Sequence, residues 1–508
     1  MNLSKYKRIV FSLVAGGLLL VGLFLLLNGA PQIARADPGD LFVTIGGSGD
    51  CSQASPCDLQ TALGTASDGD TIYIAEGIYT GSGGAVVTVT KSITLYGGWD
   101  GTTTTPPVRN PDAHPTTLDG EGARRVVYIN GNISPIIDGF TITGGNANSE
   151  TVGAGRGGGI YSEDASPTIQ SNVIISNMAS ISPTTGSGGG IYLEGASASA
   201  LISGNQIVSN TACVCWSSYG GGIYIGGSDA TIQDNLILSN ISGRDGGGTY
   251  VFGGSPRFLN NEVRTNVAGR NGGGMFLNRG FPLVQGNLVI GNLAGWDGSN
   301  WHGGGLMAVH SCSPTITANR VFSNAAGTGA GVVVETDGYF TVTNNLITHN
   351  STCGIKVWDL TQYGLVAHNT VAFNTGSEGG IRLAEGYITP TVVNSIVVSN
   401  TYGIRAHTNS SGTLDYNDVW GNTTQDYDLP GALEPGPHDI QADPLFTNPA
   451  GDDFHLQASS PCIDAGTDAG VMSDIDGDPR PVGAGYDIGA DEFRQRYIYL
   501  PLVEKNYP

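Results

Sequence analysis

Ten residues between positions 216 and 302 carry side chains suited to holding a polar polymer. Trp216 and Tyr219 stand in "CVCWSSY", Arg244 and Asp245 in "SGRDGGG", Arg270 and Asn271 in "AGRNGGG", and Trp296, Asp297, Trp301 and His302 in "GWDGSNWH". Indole and phenol rings stack on the flat faces of sugars, while guanidinium and carboxylate groups fork onto hydroxyls and carboxylates. A second set, Asp474, Asp476 and Asp478 in "DIDGDPRP", offers alternating oxygens of the kind calcium takes. It lacks a later bidentate acid, and Arg480 stands close enough to pair with one aspartate, so a structural role is the reading taken and calcium the cofactor it would admit.

What positions the first set is a repeat. "GGGIY" occurs at 157, 188 and 220 and returns as "GGGTY" at 246, "GGGMF" at 272 and "GGGLM" at 303. In phase with it runs Asn-x-(Ile/Val)-x-x-Asn, beginning at residues 172, 205, 235, 261, 287, 319, 345 and 369, then stretched at 394 and regular again at 417. Most steps lie near 26 residues, the signature of a solenoid whose extra residues bulge as loops. Each period holds a third short run, such as "SPTIQ" or "SPTIT", so three strand-length runs leave no room for a helix. The pattern predicts an all-β chain wound in triangular coils, its strands stacking into three short parallel sheets, with alternate Ile, Leu and Val inside and the intervening residues facing water. Asparagine tolerates left-handed backbone angles, and stacked asparagines can bond their amides along the axis. The triple glycines are then corners. A phosphate-cradling loop would need a following Lys-Ser/Thr and helix, and neither is present.

The whole chain after the first 36 residues resembles a secreted bacterial right-handed parallel β-helix protein of the pectin-lyase-like superfamily. The resemblance rests on the repeats and on two end segments: "CDLQTALGTASDGDTIYIAEGIYT" from Cys57, which is similar to openings where a short helix caps the first coil, and "SPCIDAGTDAGVMSDIDGDPRPVGAGYDIGADEF" from Ser460, similar to the close of large β-helix surface proteins with variable C-terminal anchors. The Gly-Gly and Asn pairs also resemble polymorphic outer membrane protein repeats. The implied layout is a cap and first coil over 37–80, a β-helix over 81–430 of about 10–13 coils counted on the repeat, a C-terminal cap region over 431–495 and an apolar tail over 496–508. Polysaccharide lyases of such a fold use a basic residue beside a uronate and acid-held calcium, and hydrolases use paired carboxylates. Arg244 or Arg270 with Asp245 and Asp297 would fit either scheme without being a specific set, and "GIK" at 354 with "GIR" at 380 and 403 reads as further corners. The expectation is therefore a non-catalytic binder of polysaccharide or cell-surface glycan, with a lyase or hydrolase of uronic-acid polymers as the alternative.

From the second Asn of one repeat to the next glycine corner, successive loops step 11, 10, 6, 6, 11 and 5 residues. Two short loops between long ones predict a saddle on one edge, three coil rises or on the order of 14 Å across, lined by the ten residues above. The termini add context. Lys5, Lys7 and Arg8 precede the apolar run 9–27 and "ARA" at 34–36, which reads as a signal peptide over 1–36 or, uncleaved, a single membrane anchor. The net charge of −22 over 508 residues argues against nucleic acid as a partner. Of seven cysteines, Cys51 and Cys57 are spaced to close a disulfide loop; Cys213 and Cys215 read as too close to bridge each other, and no spacing suits zinc.

Overall fold

The computed structural model describes residues 32–33, 39–181, 185–195, 200–296, 300–359, 363–386 and 388–494. The apolar run 9–27, the "ARA" at 34–36, Asp297 and the tail 496–508 lie outside the described residues. Among the described residues no helix is long and apolar enough to cross a membrane.

Three-residue strands with an isoleucine or valine at the centre, such as Thr231–Gln233 and Leu236–Leu238, recur in every coil. Each turns its central side chain inward, and the next coil pairs with it in parallel and in register: Ile232 lies over Phe258 and Ile237 over Val263. The outcome is a right-handed parallel β-helix. Sheet A holds the "TIQ" strands, sheet B the strands after the first asparagine and sheet C the strands after the glycine corners; B and C have 13 strands each. The core is one apolar column from Val43 to Leu433. A seven-residue helix, Leu59–Thr65, caps the start: Asp58 accepts the Thr61 N–H, and Leu59 and Ala62 turn onto the first rungs.

Both asparagine columns are continuous. Asn235 donates to Asn261 and Asn261 to Asn287, each at 3.0 Å, and the second column runs Asn240, Asn266, Asn292 with the same spacing. Two details differ from the sequence reading. The left-handed residue is the one before each asparagine, for example Asp234 at φ 55 and Ser239 at φ 56, so the asparagine itself keeps ordinary angles and aims its amide along the axis. At the stretched repeat the ladder position belongs to Ser395, whose N–H reaches Asn417, while Asn394 turns outward to bond Thr467. The glycine corner has two separate causes. Gly246 has φ 69, and a Cβ on Gly247 would stand 2.4 Å from the Gly273 carbonyl oxygen, so the corner needs both left-handed angles and bare backbone.

Not all intervening residues face water. On sheet C, Tyr128, Tyr161, Tyr192, Tyr224, Tyr250 and Phe276 form an in-register outer column. Neighbouring rings stack, at 4.4 Å between Tyr192 and Tyr224, except for an edge contact between Tyr161 and Tyr192, and the loops before the glycine corners fold over them. A second apolar layer thus lies outside the coil and gives those loops something to pack against.

At the C-terminal end Tyr427, Leu429 and Leu433 close the core. Beyond them Asp439 ends the first asparagine column by accepting from the Asn417 N–H and side-chain amide, and Ile440 bridges to the last strand of sheet B. Phe446, Phe454, Leu456, Cys462 and Ile488 pack sideways against Leu346, Ala372, Ile396 and Val398 on the outer face of sheet B, because there the outward positions are apolar and need cover. We call this segment the strap. Where it leaves the rod, Asp418 is fully buried, accepting the Ala442 N–H and the Cys462 thiol, and burial pushes its carboxyl up to about 7 from 3.8. The folded form therefore keeps a proton that the unfolded form gives up, and stability falls as pH rises between 3.8 and about 7. Asp418→Asn is expected to flatten the melting temperature across that window; a parent-like slope in a pH series of thermal melts would refute this origin.

The Cys51–Cys57 disulfide is formed. Cys213 and Cys215 are also paired, contrary to the expectation from their spacing. The chain bulges at the exposed Val214 and turns both thiols to the same side, with 5.3 Å between the Cα atoms. Cys312, Cys353 and Cys462 are free and buried.

Candidate functional site

The loops between sheets B and C stack as strands do. Ile241–Ser242, Val267–Ala268 and Leu293–Ala294 form a small parallel sheet of their own, and the residue before each glycine corner falls into a column: Tyr219 beside Asp245, then Asn271, His302 and Thr328. This register brings together seven of the ten residues read from the sequence. Asp245 is buried, takes the Asn271 N–H at 3.2 Å and side-chain amide at 3.1 Å, and sits 3.2 Å from the Arg244 Nε. Arg244 donates to the Tyr219 hydroxyl at 2.7 Å, the His302 N–H reaches the Asn271 Oδ1 at 3.0 Å, and the Arg270 guanidinium lies 4.0 Å above the Trp301 ring. Burial raises the Asp245 carboxyl, with Arg244 and Arg270 opposing. These polar groups are thus largely satisfied by one another, and the edge is a braced wall.

The three tryptophans separate. Trp216 is 77% exposed at a loop tip, whereas the Trp296 ring lies against the Gly269 backbone and Trp301 under Arg270. Trp296 therefore packs the loop.

The wall ends on a shelf that sequence reasoning passed over. After His302 the loops shorten, and the outer column of sheet C changes from rings to cations: Val333 is followed in register by Lys356, Arg382 and Arg405. These are the third residues of "GIK" and of the two "GIR" corners. The corners are as expected; the missed signal was that one outward position of three successive rungs is basic. The Lys356 ammonium pairs with Glu378 at 2.6 Å and lies 5.1 Å from the Trp358 ring centre. Arg405 pairs with Asp428 at 2.7 Å. Arg382 donates to the Ala406 carbonyl at 3.2 Å, and among the described residues no carboxylate lies within pairing distance of it. The His302 ring stands 4.6 Å from Trp358 and bonds the Thr328 hydroxyl; burial, then Lys356, push it down to about 4, so it is neutral near pH 7. Trp301, His302 and Trp358 form the side of the shelf and the partly exposed Arg382 and Arg405 its floor, with Lys356 buried at its edge. Such an arrangement can hold a flat polar ring against the aromatics and an anionic group against Arg382.

A sequence profile for the right-handed β-helix region matches residues 125–297, 190–375 and 293–427, overlapping spans that together cover more than half of the chain. The chain belongs to the right-handed β-helix family. No curated protein matches the sequence. Among solved structures the β-helix is similar to pectate lyase Pel9A at 15% identity, covering 91% of this chain and 98% of that one with a TM-score of 0.42. It is also similar to a mutant of the PL6-family alginate lyase AlyGC, at 15% identity over 83% and 55% of the two chains and a TM-score of 0.45. A third is the A-module of the Azotobacter vinelandii mannuronan C-5 epimerase AlgE6, at 14% identity, 78% and 97% coverage and a TM-score of 0.39.

In this β-helix the acidic set of the strap is spent on its own fold. Asp474 Oδ1 accepts the Asp476 and Asp478 N–H groups and its Oδ2 the Glu492 N–H. Asp476 pairs with Arg320 at 3.3 Å and His455 at 2.6 Å, and Asp478 with Arg494 at 2.8 Å. His455, Asp476 and Asp491 bring one potential ligand atom each within 4.8 Å. A nitrogen donor with two carboxylates does not suit calcium, which takes six to eight oxygens.

Proposed function

We propose that this is an exported β-helix protein that holds an acidic polysaccharide or cell-surface glycan along the outer face of sheet C, without cleaving it. The observation that carries the reading is the in-register column Lys356, Arg382, Arg405 beside the ring wall of Trp301, His302 and Trp358, in a chain whose net charge is −22. Arg382, which has no carboxylate within pairing distance among the described residues, marks one place on an acidic surface that selects anions by position, and overall repulsion keeps nucleic acid off the rest of the rod. The rungs repeat at about 4.8 Å, so the partly exposed Arg382 and Arg405 meet successive units of an extended chain running along the axis, while Lys356 is buried against Glu378. Export rests on the basic and apolar start of the sequence, and the two disulfides agree with an oxidising compartment.

Affinity electrophoresis in gels cast with polygalacturonate or alginate tests this. The parent is expected to be retarded, less so as salt rises. Arg382→Ala is expected to weaken retention about tenfold, the loss of one charge-assisted contact. Equal mobility of parent and Arg382→Ala in every acidic polymer would remove the proposal. Unsaturated or reducing ends appearing on the same polymers would move the reading to a lyase or hydrolase.

A further inference from the structure

The corner between sheets C and A carries a feature of a different kind. Leu283, Thr315, Thr341 and Leu365 are register partners on sheet A, so the residues two before them fall on one line parallel to the rod axis. They are Phe281, Ser313, Tyr339 and Tyr363. Phe281 is 70% exposed, Tyr339 57% and Tyr363 67%. One rung earlier the ring of Phe252, 40% exposed, receives the Arg279 guanidinium at 5.1 Å, which brings a fourth ring to the same corner. Among the described residues six aromatic side chains are exposed; three of them belong to this row and a fourth, Phe252, lies at the same corner.

Exposed aromatics scattered singly need no explanation, but four on one edge within five rungs do. The fold gives no structural cause, since the corner positions of neighbouring rungs are Asp229, Ser255, Ser313, Thr389 and Ser411, small or polar residues that make the same turn. The row is aromatic without exposed leucine, isoleucine or valine, which sets it apart from a patch made for a bilayer or a protein groove. Rings spaced by multiples of about 4.8 Å over about 19 Å fit a ligand that is itself extended, flat-faced and periodic. We infer that Phe252, Phe281, Tyr339 and Tyr363 form a stacking rim for a neutral, β-1,4-linked polysaccharide lying along the C-to-A corner, a site separate from the cationic shelf. The axial hydrogens of equatorially linked pyranoses offer apolar faces to the rings, and no charged group is needed.

The test is depletion of the full-length protein from solution by microcrystalline cellulose, with insoluble mannan and xylan as parallel arms. The parent is expected to be retained on at least one of the three. The triple variant Phe281→Ala/Tyr339→Ala/Tyr363→Ala, all at exposed positions, is expected to lose at least tenfold of that retention while melting as the parent does and keeping its retardation in polygalacturonate. Arg382→Ala, at a partly exposed position, should do the reverse. Parent protein that stays in solution with all three polymers overturns the inference, as does a triple variant retained like the parent. A dimer of the parent that dissociates in the triple variant, with retention unchanged, would assign the row to self-association and equally overturn it.

Discussion

Asn240→Ala is expected to cost about 3–5 kcal/mol, several times an ordinary surface change, because its amide is shared by three rungs. The side chain is fully buried. Its Nδ2 donates to the Ile207 carbonyl at 2.8 Å and to the Asn266 Oδ1 at 3.0 Å. Its Oδ1 accepts the Asn210 N–H at 2.9 Å and the Asn210 amide at 3.1 Å. Alanine removes all four contacts and leaves the Asn210 N–H and the Ile207 carbonyl in a dry turn, where each unmet group costs about 1–3 kcal/mol. Asn240→Asp keeps the acceptor, loses the donors and adds a buried charge, so it should do no better. Asn132→Ala, at an exposed turn, is the control and should stay within about 0.5 kcal/mol of the parent. Since each rung contacts only its neighbours, the damage is expected to divide the melt, with hydrogen exchange rising first around coils 205–290. If chemical denaturation places Asn240→Ala within 1 kcal/mol of the parent, the columns are ornament and the apolar core alone holds the rod.

The legibility of this protein follows from the same repetition. A residue that recurs every coil for a backbone reason is visible in one sequence, and so Asn235, Asn261 and Asn287 announced their column, and the triple glycines their corner. The loop lengths announced the wall from Tyr219 to His302. Three things were hidden. Trp216 and Trp301 look alike in sequence, but Arg270 of the preceding rung covers the Trp301 ring while Trp216 stands exposed at a loop tip. Lys356, Arg382 and Arg405 were written in corners already explained by glycine, and their meaning lies in a register that single motifs do not display. The tyrosines of sheet C sit at positions that a two-residue alternation assigns to solvent; they are covered because loops from the same coil fold back over them. Each failure concerns what an outward side chain meets, which is a matter of neighbouring coils. Ser395 makes the same point from inside: a serine fills the regular ladder position, and Asn394, in the left-handed place before it, holds the strap.

The strap gives the other large effect. Arg480 and Glu492 are both fully buried, 2.7 Å apart. Arg480 also donates to the Gly489 carbonyl at 2.8 Å, and Glu492 accepts the Val482 and Asp487 N–H groups. Arg480→Met leaves the carboxylate in the interior without its cation, a change worth about 3–5 kcal/mol against the strap. Glu492→Gln in the same chain removes the stranded charge and keeps an acceptor for Val482, so the double variant should recover at least about 1 kcal/mol of the loss. The strap packs on the outer face of sheet B and on the corner residues Asn344, His368 and Asn394 before its strands, so the single variant is expected to lose protection over 440–494 while coils 160–330 keep theirs. Freed of cover, Leu346, Ile396 and Val398 become an apolar patch, and the variant should bind a hydrophobic dye and aggregate at concentrations the parent tolerates. A single variant as stable as the parent, or a double variant no better than the single, would mean that the pair does not fasten the strap. Loss of the whole rod together with the strap would mean that the two fold as one unit, and the side-on packing of residues 446–493 would then be part of the core rather than a cover laid upon it.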